Sequence, residues 1–197
     1  MNSPIDFRTP GAGFDEPVEM WLACHERVRR FALLMGRLAE HLRRNGHDED
    51  AQVTAASIRR YFNEAAPRHH EDEEVDMFPR LRERLAADAN PTVSNVVDQV
   101  EADHLEMAGL WKRLDATLAE IQRGRPAELD PALIDRFATL YHHHIDAEER
   151  VLLPAMKRAF SKGDWQAIGR AMAERRGLEW SDVARPAARA AKILKHR

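Results

Sequence analysis

Apolar residues recur along most of this chain at helical steps. From Pro17, the residues Val18, Trp21, His25, Val28, Met35, Leu38 and Leu42 follow at intervals of three, four and seven, which lays them on one helix face. Asn45-Gly46 is a stop signal for that helix. A second helix is predicted from about Asp50 to Ala87, with Ile58, Phe62, His69, Glu73 and Met77 on its inner face. Pro67 and Pro79 fall inside it. Each removes a backbone donor, so a kink or local break is predicted at both. Asn90-Pro91 and Asp130-Pro131 each set an N-cap residue before a proline at the first helical position. They open a third helix, ending near Arg123 ahead of Gly124 and Pro126, and a fourth, ending near Ser161 ahead of Gly163. Alternating runs of β-branched residues are missing, so no strands are predicted.

Four long helices with short connections predict an all-α fold, an antiparallel up-down-up-down four-helix bundle. The predicted organisation is an N-terminal arm over residues 1–16, the bundle over 17–161, and a C-terminal helical extension over 162–197. That extension holds a short helix from Asp164-Trp165 to Arg176-Gly177 and a basic, alanine-rich end from Ala184 to Arg197.

Composition narrows the functional classes. The 197 residues are 44% hydrophobic with a net charge of −3, enough for one buried core. Acidic and basic residues are interleaved, so neither nucleic acid nor an anionic membrane is predicted as a partner. No stretch approaches the roughly 20 apolar residues that span a bilayer. Cys24 is the single cysteine, and Met1 to Gly13 has no apolar run of the secretory kind. A cytoplasmic location is the expectation.

The unusual number is ten histidines, five of them in two short clusters. The second and fourth helices repeat each other at an offset of 75 residues. Phe62 matches Phe137, His69 matches His144, Glu73-Glu74 matches Glu148-Glu149, and Met77-Phe78-Pro79 matches Leu152-Leu153-Pro154. The first and third helices match more loosely, with His25 against His104, Val18 against Val97 and Met35 against Leu114. The chain reads as two helical hairpins carrying one ligand pattern twice.

A step of four puts His69 with Glu73, and His144 with Glu148, one turn apart on the face that also carries Phe62 and Phe137. These polar pairs therefore point into the core, where carboxylates are costly unless paired or metal-bound. Around a dinuclear centre the glutamates are natural bridges, and imidazole with carboxylate suits iron, manganese or zinc. Thiolate ligands are missing, which argues against iron–sulfur and structural zinc sites. Glu71, Asp72 and Glu74 read as solvated, with Glu74 a candidate to support a ligand. His142 and His143 read as exposed. Tyr141, one turn before His144, is either a core aromatic or a hydroxyl near the metals.

The segments His69-His70-Glu71-Asp72-Glu73-Glu74 and His142-His143-His144 through Glu148-Glu149, each followed by its proline, resemble the paired signatures of the hemerythrin-like, HHE cation-binding family. Cys24-His25-Glu26-Arg27 and Asp103-His104 resemble its first- and third-helix motifs, and the resemblance covers about residues 15 to 160. It implies a four-helix bundle with a non-haem di-iron site. The implied metal ligands are His25, His69, Glu73, His104, His144 and Glu148, for two iron ions. It also implies a protein that binds oxygen or a related diatomic molecule for sensing, scavenging or iron handling. A di-iron redox enzyme, peroxidase-like or nitric oxide-reducing, and a metal storage or donor protein are the alternatives. The chain departs from oxygen-carrying hemerythrins in two places. Their last helix carries a histidine and an aspartate five apart, where here Glu148 follows His144 by four and Glu149 is the five-spaced alternative. They also place two histidines four apart on the third helix. Here Ala108 stands four after His104. Glu101, one turn before His104, is the favoured substitute, with His70 or water as the others.

Overall fold

A computed structural model describes residues 13–85 and 91–183, and all regular structure among them is helical. Helix α1 spans Pro17–Asn45 and α2 spans Glu49–Arg60. The chain continues without a break through a π turn at Tyr61–Ala65, helix α3 at Ala66–Glu71, a second π turn at Asp72–Met77 and helix α4 at Phe78–Leu85. Helix α5 spans Pro91–Gln122. Helix α6, Pro131–Ala147, passes through a third π turn at Glu148–Leu152 into α7, Leu153–Ala159. Helices α8, Lys162–Arg175, and α9, Trp180–Val183, follow. The residues expected to form the arm up to Ala12, the Asn90 cap and the basic tail from Ala184 lie outside the described residues.

The punctuation works as its chemistry dictates. Asp48 and Asp130 accept from the amides of Ala51 and Ala132, each at 2.9 Å, so each satisfies an orphan donor of the first turn. After α5, Gly124 adopts φ 70°, where the amide of Arg125 reaches the carbonyl of Glu120 at 3.0 Å and that of Gly124 reaches Ile121 at 2.9 Å. This is the double bond of a Schellman stop, and glycine enters its left-handed position without a Cβ penalty.

The prolines do something other than break the helix. In each case the residue before the proline donates five residues back: Ala66 to Tyr61, Phe78 to Glu73, and Leu153 to Glu148. A proline in an ordinary turn collides with the carbonyl four residues earlier. The wider π turn gives the ring room, so the helix runs on past Pro67, Pro79 and Pro154. The extra residue per turn also broadens the buried face. Asp72 is buried beside Glu73, and Phe78 beside Met77. Asp72, expected on solvent by α-helical spacing, is interior for this reason.

The described residues fall into two compact units: those within 24–159, and 13–23 with 160–183. In the first, α5 packs along α2 and α6, and α4 packs on α7. Its core includes Val28, Met35, Leu38, Ile58, Leu114, Leu118 and Ile121. The two repeat-related phenylalanines meet there, with Phe62 and Phe137 edge to face at 5.1 Å. In the second unit Trp21, Ile168, Met172 and Ala173 are buried. Ser161 and Asp164 cap α8 reciprocally.

Within that second unit Gly169 lies so close to the carbonyl of Phe14 that a Cβ would overlap it. Gly169→Ala is therefore expected to destabilise the protein by about 1–3 kcal/mol through overpacking. Gly109, inside α5, has open space around its missing Cβ. Gly109→Ala is expected to stabilise by about 0.5–1 kcal/mol through backbone entropy. Thermal melts of both variants check this, and equal effects would contradict the packing.

Candidate metal centre

The six residues singled out by the repeat converge in the core of the first unit. All are buried, with His25, Glu73 and Glu148 fully so. They form two overlapping groups: His25, His69, Glu73 and Glu148, and His104, His144, Glu73 and Glu148. In each group one ligand atom per residue lies within 4.8 Å of all the others. Both glutamates belong to both groups. Each long helical segment of the unit contributes one histidine, and the two segments with π turns add the glutamates at the turns themselves.

The histidines aim their Nε2 atoms inward. Nε2 of His69 lies 3.1 Å from Oε1 of Glu73, and Nε2 of His104 lies 3.4 Å from its Oε2. Nε2 of His25 and of His144 each lie 3.3 Å from Oε2 of Glu148. The far nitrogens are gripped from outside. Nδ1 of His25 donates to Glu149 at 2.9 Å, and Nδ1 of His104 donates to Glu74 at 2.6 Å. Asp103 stands 3.6 Å from Nδ1 of His144. Arg29 in turn holds Glu149 at 3.1 Å. A carboxylate can only accept here, so Glu149 and Glu74 fix the proton on Nδ1 of His25 and His104 and leave the Nε2 lone pair for a cation.

Of these outer groups only Glu74 is foreseen by the sequence. The Glu-Glu pairs carry the signal for both: the first glutamate of each pair enters the core and the second reaches a histidine on a neighbouring helix. Glu101 does not serve. Arg82 grips it at 2.7 and 2.9 Å outside the cluster. His70 lies closer in, its ring stacked on that of His104 at 3.9 Å. Tyr141 is buried, with its ring 6.4 Å from that of His144. His142 and His143 are exposed.

The charges are arranged against their own burial. Desolvation raises the Glu148 carboxyl, and the charge of Glu73 beside it raises it further. Burial alone would raise Glu73 too, but His69, His104 and His25 hold it well below the ordinary range. Burial works to lower the His104 imidazole, yet Glu73 and Glu74 outweigh it and hold it at about 9. His25 is likewise lifted well above its ordinary value, against burial, by Glu148, Glu149 and Glu73. His69 is pressed down to about 3 and His70 well down, chiefly by burial. Glu149 is lowered to about 2, first by His25 and then, against a small desolvation, by Arg29.

The residues fit a metal cation. Both oxygens of Glu148 are out of reach of solvent and accept no hydrogen bond of good geometry. A shared cation supplies what such a carboxylate lacks. All-nitrogen and oxygen donors, with no thiolate, suit iron, manganese or zinc.

Comparison with known proteins agrees with this donor set. Residues 16–156 match the family model described as the hemerythrin HHE cation binding domain. An uncharacterized protein of Haemophilus influenzae is 33% identical over 168 residues, covering 85% of this chain and 94% of its own length. The chain belongs to the hemerythrin HHE cation-binding family.

Two outcomes follow. Glu149→Gln and Glu74→Gln each loosen the tautomer and orientation of one histidine, and each is expected to weaken metal binding about 10–100-fold. Competition titrations against a chelator measure this, and unchanged affinity in both would refute the gripping role. The pH dependence has a definite sign. His104 is raised from 6.5 to about 9, so in the metal-free chain its proton stabilises the fold fully below 6.5, and that contribution is lost as pH rises through about 9. A cation must displace that proton and the one on His25. Metal binding is therefore expected to release protons at neutral pH and to tighten toward about pH 9. Calorimetry in buffers of different ionisation heat reads the released protons directly.

Proposed function

We propose that the cluster holds two iron ions, one between His25 and His69 and one between His104 and His144, with Glu73 and Glu148 shared. In this reading the protein binds oxygen or a related small molecule, for sensing, scavenging or iron handling. The observation that carries it is the overlap of two four-residue groups through both glutamates. Manganese or zinc are the other cations this donor set takes. When bound, iron supplies ferrous–ferric redox chemistry and open positions for a small ligand. The chain's own residues would hold and orient it: Glu73 and Glu148 would be shared by both ions, Glu149 and Glu74 set the tautomers of His25 and His104, and Phe62, Phe137 and Tyr141 pack as an aromatic layer beside the cluster.

The setting of this reading is an up-down-up-down bundle of residues 17–161, preceded by an arm over 1–16 and followed by an extension over 162–197. Among the described residues no helix is long and apolar enough to cross a membrane. A cytoplasmic location belongs to the proposal, and the single cysteine suits it.

The redox-enzyme reading draws on one observation. The buried Tyr141 hydroxyl makes no hydrogen bond to the described residues, and burial holds its pKa above the ordinary value, so it stays a proton donor near the cluster. An optical spectrum of the reduced, iron-loaded protein before and after air separates the two. A reversible band marks a binder, and turnover with peroxide marks an enzyme. The metal ligands are tested by substitution. Glu73→Ala and Glu148→Ala are each expected to lose most of the metal, because each deletion touches both ions. Glu71→Ala, on the exposed face, is expected to change little. Equal loss in all three, or one zinc with no iron uptake under reducing conditions, would overturn the di-iron reading.

A further inference from the structure

A cavity of about 160 Å³ opens beside the His104 half of the cluster. His70, His104, Tyr141 and Phe62 line it, with Ala108 and Trp111 from α5. Ala108 is exposed, so the cavity reaches the surface there. This is the position where an oxygen-carrying hemerythrin has a second histidine on the helix, four after His104. Replacing an imidazole with a methyl group leaves room, and His70 from the neighbouring helix does not fill it. His70 instead stacks on His104 at 3.9 Å, with its Nε2 buried and without a hydrogen-bond partner. It is not one of the residues whose ligand atoms gather in either cation group.

We infer that this cavity admits a two- or three-atom oxygen or nitrogen ligand to the His104–His144 half of the centre, entering past Ala108, with His70 as its hydrogen-bond partner. The inference rests on the proposed metal reading and assigns that site a side, an entrance and a polar contact. Four features support it. The volume has room for a few heavy atoms, since one water takes about 30 Å³ in the liquid. The walls are aromatic and apolar, with few polar groups among them, as small-ligand sites require. A buried ring nitrogen without a partner is costly, and a polar ligand satisfies it. Tyr141 adds a hydroxyl without a protein partner among the described residues.

A second cavity of about 300 Å³, lined by Arg29, Ala32, Leu33, Ala138 and His142, also reaches Tyr141 and provides the control. The probe is azide, added to the full chain loaded with ferric iron, with iron content measured on every sample. Ala108→Phe blocks the first cavity from its mouth, and Ala138→Phe fills the second. Azide association, followed by its charge-transfer absorption, is expected to slow at least about tenfold in Ala108→Phe and to stay within about twofold in Ala138→Phe. His70→Leu is expected to weaken azide affinity about tenfold, the effect of one hydrogen bond to an anion, with iron retained. Retained iron with an unchanged rate in Ala108→Phe, or no azide binding to the iron-loaded wild type, overturns the cavity assignment and leaves the metal reading standing. A wild-type chain that takes up no iron overturns the metal reading beneath it.

Discussion

Two carboxylates held side by side in an apolar core set the terms for the rest of this molecule. Glu73 and Glu148 are fully buried, and each offers an oxygen within 4.8 Å of the same histidine nitrogens. Left to themselves, two such charges repel and lack water, which is why the Glu148 carboxyl is raised by burial and by its neighbour. The surrounding histidines offset part of that cost in the metal-free chain by holding protons, and a pair of cations would offset it more fully. Everything near the cluster serves that balance. Carboxylates stand outside the histidines, Arg29 stands behind one of those carboxylates, and aromatic rings pack along one flank.

The prolines connect the backbone to that balance. Pro79 and Pro154 each follow a glutamate of the cluster by six residues, and each is preceded by an amide that donates back to that glutamate's own carbonyl. The π turns thus begin where the cluster needs its carboxylates. They let consecutive glutamates divide the work, the first entering the core and the second reaching across to a histidine on another helix. Single-turn π bulges are uncommon and concentrate at functional sites, and here two occur at equivalent places in two hairpins. A plain helix would turn the second glutamate of each pair about 100° from the first, with no widened face for residues such as Asp72.

The departure at Ala108 gives the two halves of the centre different surroundings. The His25 half is gripped by Glu149 and Arg29, while the His104 half has a stacked His70 and a cavity to the surface beside it. On the proposed reading, the short side chain of Ala108 leaves the space that a small molecule would use.

How much of this was written in the sequence depends on the range of the interaction. Helix extents were legible because they rest on local chemistry. Caps such as Asp130, stops such as Gly124 and the three-and-four spacing of apolar residues act within one turn. The six-residue cluster was legible because the hairpin repeat placed each histidine and glutamate at a fixed step from a core phenylalanine. Three features were decided only by tertiary structure. A proline forbids one hydrogen bond but does not say whether the chain kinks or widens, since packing on both sides of the helix chooses, and here it chose the π turn that buried Asp72. Glu101 looked well placed for a ligand from its spacing on α5, but Arg82, nineteen residues earlier, claimed it. Glu149 gained its role across a distance of 124 residues, from a helix that meets α1 only after folding. Local spacing shows which face a side chain leaves from, and only the packed neighbours decide what it meets.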